Sequence, residues 1–164
     1  MTMRTSQTRV AGRAAGTIIR NLRLTDLFQT EDVFHDAEGG TVEEVITDLL
    51  KHLALSYGIG NIWDVNAAVL ANLDNFLYHT IRPGILVPYA RLEKVDEPRI
   101  AVATSENGFL ATSESELLLN QPRFRILVLV LIPVGMPGAF KQIENGLERA
   151  FPSDESVREV ASLG

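Results

Sequence analysis

The 164 residues are enough for one ordinary domain with a sizeable core, and at 46% hydrophobic and 22% charged the composition is globular rather than disordered. The absence of cysteine excludes a disulfide framework, a cysteine-ligated metal and thiol catalysis, and it fits a cytoplasmic protein. The net charge of −6 is uneven: Arg4, Arg9, Arg13, Arg20 and Arg23 all precede the first acidic residue, Asp26, which leaves an acidic body poorly suited to nucleic acid phosphates.

Residues 1–21 show no sustained apolar period and contain Gly12 and Gly16, so they are expected to form a flexible N-terminal tail ahead of a domain spanning residues 22–164. An acid-free start rich in Arg, Ser and Thr also occurs in organelle transit peptides, but the same composition is common in frayed termini. Leu24, Leu27 and Phe28 suit a short helical turn, and the alternation over residues 32–36 suits a short edge strand. Gly39-Gly40 marks a turn. Thr41 with Glu44 three residues on is a capping box, and Val42, Val45, Ile46, Leu49, Leu50 and Leu53 recur at helical spacing. That helix should end at Gly58, with Gly60 in the following turn. A second helix is expected over residues 62–78, with Val65, Val69, Leu73, Phe76 and Leu77 inward and Asp64 and Asp74 facing water.

After Arg82-Pro83-Gly84 the pattern changes to extended runs at residues 85–87, 99–103 and 124–132. The last is apolar at nearly every position, as a central strand covered on both faces requires. The longest apolar stretch, Phe124 to Val134, is interrupted by Arg125 and Pro133 and falls short of the ~20 residues that span a bilayer, so no membrane insertion is expected. Residues 107–121 read as a loop with one short strand. Pro137 is placed to open a third helix with Phe140, Ile143, Leu147 and Ala150 inward. Pro152 closes it, and Ser153 caps a final helix carrying Val157, Val160 and Ala161. The expected fold class is α/β: a three-layer sandwich in which a mixed β-sheet is flanked by helices.

Several local strings, in order, resemble one known family. Leu24-Thr25-Asp26-Leu27-Phe28 and Glu31-Asp32-Val33 open it, and a capped helix follows the glycine pair. The sharpest string is Gly84-Ile85-Leu86-Val87-Pro88-Tyr89-Ala90-Arg91; Glu97-Pro98, an Asn107-Gly108 turn, a buried strand ending at Pro133 and Pro137-Gly138-Ala139 follow. Together they resemble the type-2 enzyme IIA domains of the fructose, mannitol and nitrogen-regulatory phosphotransferase systems (PTS), from about Leu22 to Leu163. In that family a histidine at the Tyr89 position takes a phosphoryl group from the carrier HPr and passes it to a sugar transporter. A second histidine stands at the Phe140 position. Residues 78–83 also depart from the family's small, glycine-rich turn.

A phenol with a pKa of about 10 is mostly protonated at neutral pH and is a weak nucleophile without a base. A tyrosine phosphate would also be a stable ester and a poor onward donor. The resemblance therefore implies a catalytically degenerate regulatory or protein-interaction module, with no catalytic residue expected, no metal and no cofactor. Its partner would be a protein: a kinase, a transporter or a component of the phosphotransferase system, with a homodimer left open. The candidate binding residues are Tyr89, Arg91, Arg82 and His79. Tyr89 is read chiefly as a ring packed against Phe140, and Arg91 either as an anion ligand or as a surface partner of Glu93. Two alternatives stand beside this reading: an active phosphocarrier using another acceptor such as His79, and an anion or metabolite sensor in the former active-site cleft. His79 is otherwise a histidine at a helix C-terminus. His35 and His52 lack metal-ligand spacing, and neither a P-loop nor a dinucleotide glycine pattern is present.

Overall fold

A computed structural model describes residues 33–34, 40–78, 80–111 and 123–162, with the backbone alone at Asp74, Leu77 and Tyr78. The readings placed on residues 1–32, on Gly39 and on His35 and His79 lie outside the described residues.

Helix α1, Val42–Tyr57, begins where the capping box requires. Thr41 Oγ1 accepts from the Glu44 backbone N–H at 3.3 Å, and Glu44 Oε1 accepts from the Thr41 N–H at 3.0 Å, so two donors with no partner inside the helix are satisfied. All six apolar residues of the expected stripe are buried. Gly58 ends the helix at φ 66°, a left-handed conformation that glycine adopts without a Cβ penalty.

The Asn61 carboxamide then caps α2, Ile62–Ala71, by accepting from Trp63 N at 2.9 Å and Asp64 N at 3.3 Å. The single helix expected over residues 62–78 is in fact two. Asn72 interrupts it at φ −109°, ψ 13°; its backbone N–H turns to Val69 O at 3.2 Å, and its side-chain amide donates to Ala68 O at 3.4 Å. A short amide side chain that competes for backbone groups is the reason. The apolar face runs on across the break into α3, Leu73–Tyr78, with Val65, Val69, Leu73 and Phe76 all buried.

The sheet is mixed. β1 (Val33–Phe34) lies at one edge, parallel to β4 (Arg99–Leu110), which runs antiparallel to the central β5 (Arg123–Pro133). On the far side of β5 lie β2 (Ile85–Leu86) and β3 (Tyr89–Leu92), both parallel to it. The sequence reading had a single run there, ending at Val87. The chain instead continues along β5 in unchanged register, Leu86 opposite Leu127 and Tyr89 opposite Val130, interrupted only where Pro88 has no N–H to give. Pro88 still accepts from Val130 N at 3.0 Å.

β4 is longer than expected, and the Asn107-Gly108 turn is a bulge within it. The pairing with β5 shifts between Thr104 and Phe109; Gly108 stands at φ 88° and donates to Ser105 Oγ at 3.0 Å, after which Phe109 re-enters the core opposite Phe124. An inserted stretch that glycine can turn through lets the strand resume, so residues 107–110 are strand rather than loop. Residues 112–122 lie outside the described residues.

β5 shows why the sheet needs helices on both faces. Leu127, Leu129 and Leu131 pack against α1, α2 and α3, while Ile126, Val128, Val130 and Ile132 alternate onto the opposite core. That second core is closed by α4 (Ala139–Ala150) and α5 (Asp154–Ala161).

Two details of α4 correct the expectation. It starts at Ala139, because Pro137 occupies the second position of a turn closed by Ala139 N to Met136 O at 3.1 Å. Its buried row is Ala139, Ile143 and Leu147, continued past the helix end by Phe151, so Ala150 falls on the exposed side. Ser153 caps α5 as expected, accepting from Ser156 N at 3.2 Å. Val157 and Ala161 are buried, and Val160 is half-buried.

Candidate functional site

Tyr89 opens β3 immediately after Pro88 and is held on both sides. Its ring stacks on Phe140, in the first turn of α4, with centroids 4.0 Å apart and planes 26° apart. Phe76 of α3 meets it at 5.3 Å and 51°. Phe76 belongs to the core beneath α1 to α3 and Phe140 packs on the core beneath α4 and α5, so the half-buried Tyr89 joins the two layers across the sheet edge. The Phe76 contact lies within the 4.5–7 Å range of favourable aromatic pairs, and the Phe140 stack is about half an ångström closer than that range. No hydrogen bond joins the Tyr89 hydroxyl to another of the described residues; the contacts it makes among them are those of its ring.

Arg91, two residues along β3, places its guanidinium carbon 5.8 Å from the Tyr89 ring centroid. It donates from Nη2 to the Pro137 carbonyl at 3.4 Å, at the approach to α4. The expected surface pairing with Glu93 is not the contact made: Arg91 stands over the ring instead, and its side chain remains exposed. Val134, Gly135, Pro137 and Gly138 are exposed beside it, so the stack opens onto a surface of small and apolar residues with one cation.

Arg82 lies elsewhere. Its Nε donates to the Phe151 carbonyl at 2.9 Å, at the C-terminal end of α4. Since Arg91 is tied to Pro137 at the other end, the two anchoring carbonyls are separated by the length of the helix, roughly 20 Å at 1.5 Å per residue. The structure thus gathers Tyr89, Phe140 and Arg91 and holds Arg82 apart from them. Phe76 is the member of the cluster that the sequence did not point to. Its spacing marks it as core, and nothing local distinguishes a core phenylalanine from one that also meets a site residue. Among the described residues no three His, Asp or Glu side chains converge as a metal site would need, and no helix is long and apolar enough to cross a membrane.

No protein-family model and no curated protein sequence matches the chain. Solved structures do. The nitrogen regulatory protein IIA-Ntr of Neisseria meningitidis superposes with a TM-score of 0.69 at 12% identity, over 86% of this chain and 92% of that one. Mannitol IIA of Escherichia coli gives 0.60 at 16% identity, over 83% and 91%. The same IIA in its complex with phosphorylated enzyme IIB gives 0.60 at 15%, over 82% and 88%. The chain has the PTS enzyme IIA fold. The enzyme IIA fold accounts for the mixed sheet between two helical layers, and it places Tyr89, Phe140 and Arg91 at one end of a scaffold whose solved members include phosphotransferase components.

Proposed function

We propose that this protein is a degenerate enzyme IIA-like module: it docks onto a protein of a phosphotransferase system, in the cytoplasm, and regulates by occupancy without carrying a phosphoryl group itself. The observation that carries this reading is the 4.0 Å stack of Tyr89 on Phe140. By resemblance those two positions belong to a histidine pair; two carbocyclic rings packed face to face offer no ring nitrogen, and the phenol oxygen that remains is a weak nucleophile without a base and a poor onward donor if phosphorylated. The solved complex of mannitol enzyme IIA with phosphorylated enzyme IIB supports a protein as the partner. The exposed surface of Val134, Gly135, Pro137 and Arg91 is the face we assign to it.

A competition experiment tests docking and loss of chemistry together. The chain is added in excess to a working relay of enzyme I, HPr and an authentic enzyme IIA. Slower labelling of that enzyme IIA, with no label on this chain and relief by Arg91→Glu, is the expected result. Label on this chain, or an unaltered rate at any excess, would overturn the reading.

A further inference from the structure

Leu55 and Trp63 are the large apolar side chains most open to solvent among the described residues. Leu55, in α1, is 90% exposed, and Trp63, in the first turn of α2, is 70% exposed. The two helices are tied side by side where Thr47 Oγ1 donates to Asn66 Oδ1 at 3.2 Å. From that tie Lys51 lies one turn along α1 and Leu55 two, while Trp63 lies one turn along α2, all toward the connecting residues 58–61. One seam between the helices therefore carries both apolar side chains in solvent.

The charges beside them differ in sign. On α1 the exposed side chain one turn back from Leu55 is a cation, Lys51, with Asp48 a further turn away. On α2 the residue next to Trp63 is an anion, Asp64, the one charged residue of that helix. Ala67, Ala68 and Ala71 complete the exposed side of α2 and add neither charge nor bulk. Where the stem of Lys94 lies over Gly60, exposed Glu93 precedes it in sequence, so that loop brings both signs. In a chain of net charge −6 the seam is thus mixed: an apolar side chain with a cation on α1, and an apolar side chain with an anion on α2.

A surface of that composition is complementary to itself. A two-fold contact makes every pairing twice, so α1 laid over α2 of a second copy sets Leu55 on Trp63 and Lys51 against Asp64, and the same pairs form in return. At 70% exposure, Trp63 alone has about 170 Å² to bury, taking ~250 Å² for the whole ring system. The outer face of the two helices is one 16-residue helix long and two helix diameters wide, roughly 24 by 20 Å. About 500 Å² per copy is less than the ~800 Å² of a stable interface, which fits a dimer in exchange with monomer rather than a permanent one.

We propose that this protein self-associates through the α1–α2 seam, with Leu55 of each copy on Trp63 of the other and Lys51 of each against Asp64 of the other. The contact uses none of the residues assigned to the Tyr89 face, so it stands or falls apart from that reading.

Sedimentation of the full chain from micromolar to millimolar concentration tests it, with emission of Trp63, the single tryptophan, read on the same samples. The average mass should rise toward that of a dimer while the emission moves to the blue. Leu55→Glu changes a side chain that is almost wholly in solvent, so the fold should survive and association should fall by roughly tenfold or more. Lys51→Glu and Asp64→Lys should each weaken association by a similar factor, since each sets like charges together twice. Mixing these two variants restores opposite charges at both pairs, and a mixed dimer should form where neither variant alone associates. Far-UV circular dichroism checks that each variant is folded, and if Asp64→Lys is not, the parent and Leu55→Glu decide. A parent that stays monomeric at millimolar concentration would overturn the proposal. So would a folded Leu55→Glu variant that associates as the parent does, or a mixture of folded charge variants that associates no better than its components.

Discussion

Replacing Tyr89 with alanine removes the one ring that touches both aromatic partners, Phe140 at 4.0 Å and Phe76 at 5.3 Å. Each aromatic pair contributes about 0.5–1.5 kcal/mol beyond area burial, so two pairs amount to about 1–3 kcal/mol. Truncating a fully buried ring costs about 3–5 kcal/mol in all, and Tyr89 is only half-buried, which places the loss at about 2–4 kcal/mol. In a chain of this size about 3 kcal/mol corresponds to a fall in Tm of about 6–12 °C. Tyr89→Phe keeps the ring and gives up a hydroxyl with no partner among the described residues, so it should stay within about 0.5 kcal/mol of the parent. Urea denaturation followed by circular dichroism, with m values compared, measures both variants. A double-mutant cycle with Phe140→Ala should return a coupling of about 1 kcal/mol. The reasoning is refuted if Tyr89→Ala is as stable as the parent, or if Tyr89→Phe costs as much as Tyr89→Ala.

Two further predictions concern the frame that holds the site. Thr41→Ala removes the reciprocal cap of α1 and should cost about 1 kcal/mol in the same urea assay, with Thr41→Ser restoring most of it. Burial raises the Glu97 carboxyl above its ordinary value, with Arg99 opposing and Asp96 reinforcing the shift. Between the ordinary and the raised value the folded chain holds more protons than the unfolded one, so stability falls as pH rises through that window. Urea midpoints measured against pH should show this slope in the parent and lose it in Glu97→Gln.

The parts of the fold that could be read from sequence are those where one local pattern decides the outcome. Thr41 and Glu44 define a helix start by side chains that can reach only neighbouring donors, and Gly58 ends it for a reason confined to one residue. β5 is legible because only a strand covered on both faces tolerates residues 126–132 being apolar at every position. Asn72 was missed because the apolar period of Val65, Val69, Leu73 and Phe76 runs through it, and the break alters hydrogen bonding rather than burial. The bulge at Ser105 to Gly108 was missed for a related reason: an Asn-Gly pair signals a reversal, and only the partner strand shows that β4 resumes its direction afterwards.

At the site, the packing of Tyr89 on Phe140 followed from two positions in one resemblance. The ties of Arg82 to Phe151 and Arg91 to Pro137 join residues 69 and 46 apart in sequence, and no spacing rule reports such contacts. They decide the electrostatics of the site, since they keep one arginine beside the ring and hold the other at the far end of α4.

The central claim is that no phosphoryl group resides on this protein. It is tested most directly by intact mass after incubation with phosphoenolpyruvate, enzyme I and HPr at mildly alkaline pH, where phosphohistidine survives, with an authentic enzyme IIA labelled in parallel. An unchanged mass beside a labelled control is the predicted result. The gain of one acid-labile phosphoryl group, lost in His79→Ala, would contradict it and make the protein a working phosphocarrier with a relocated acceptor.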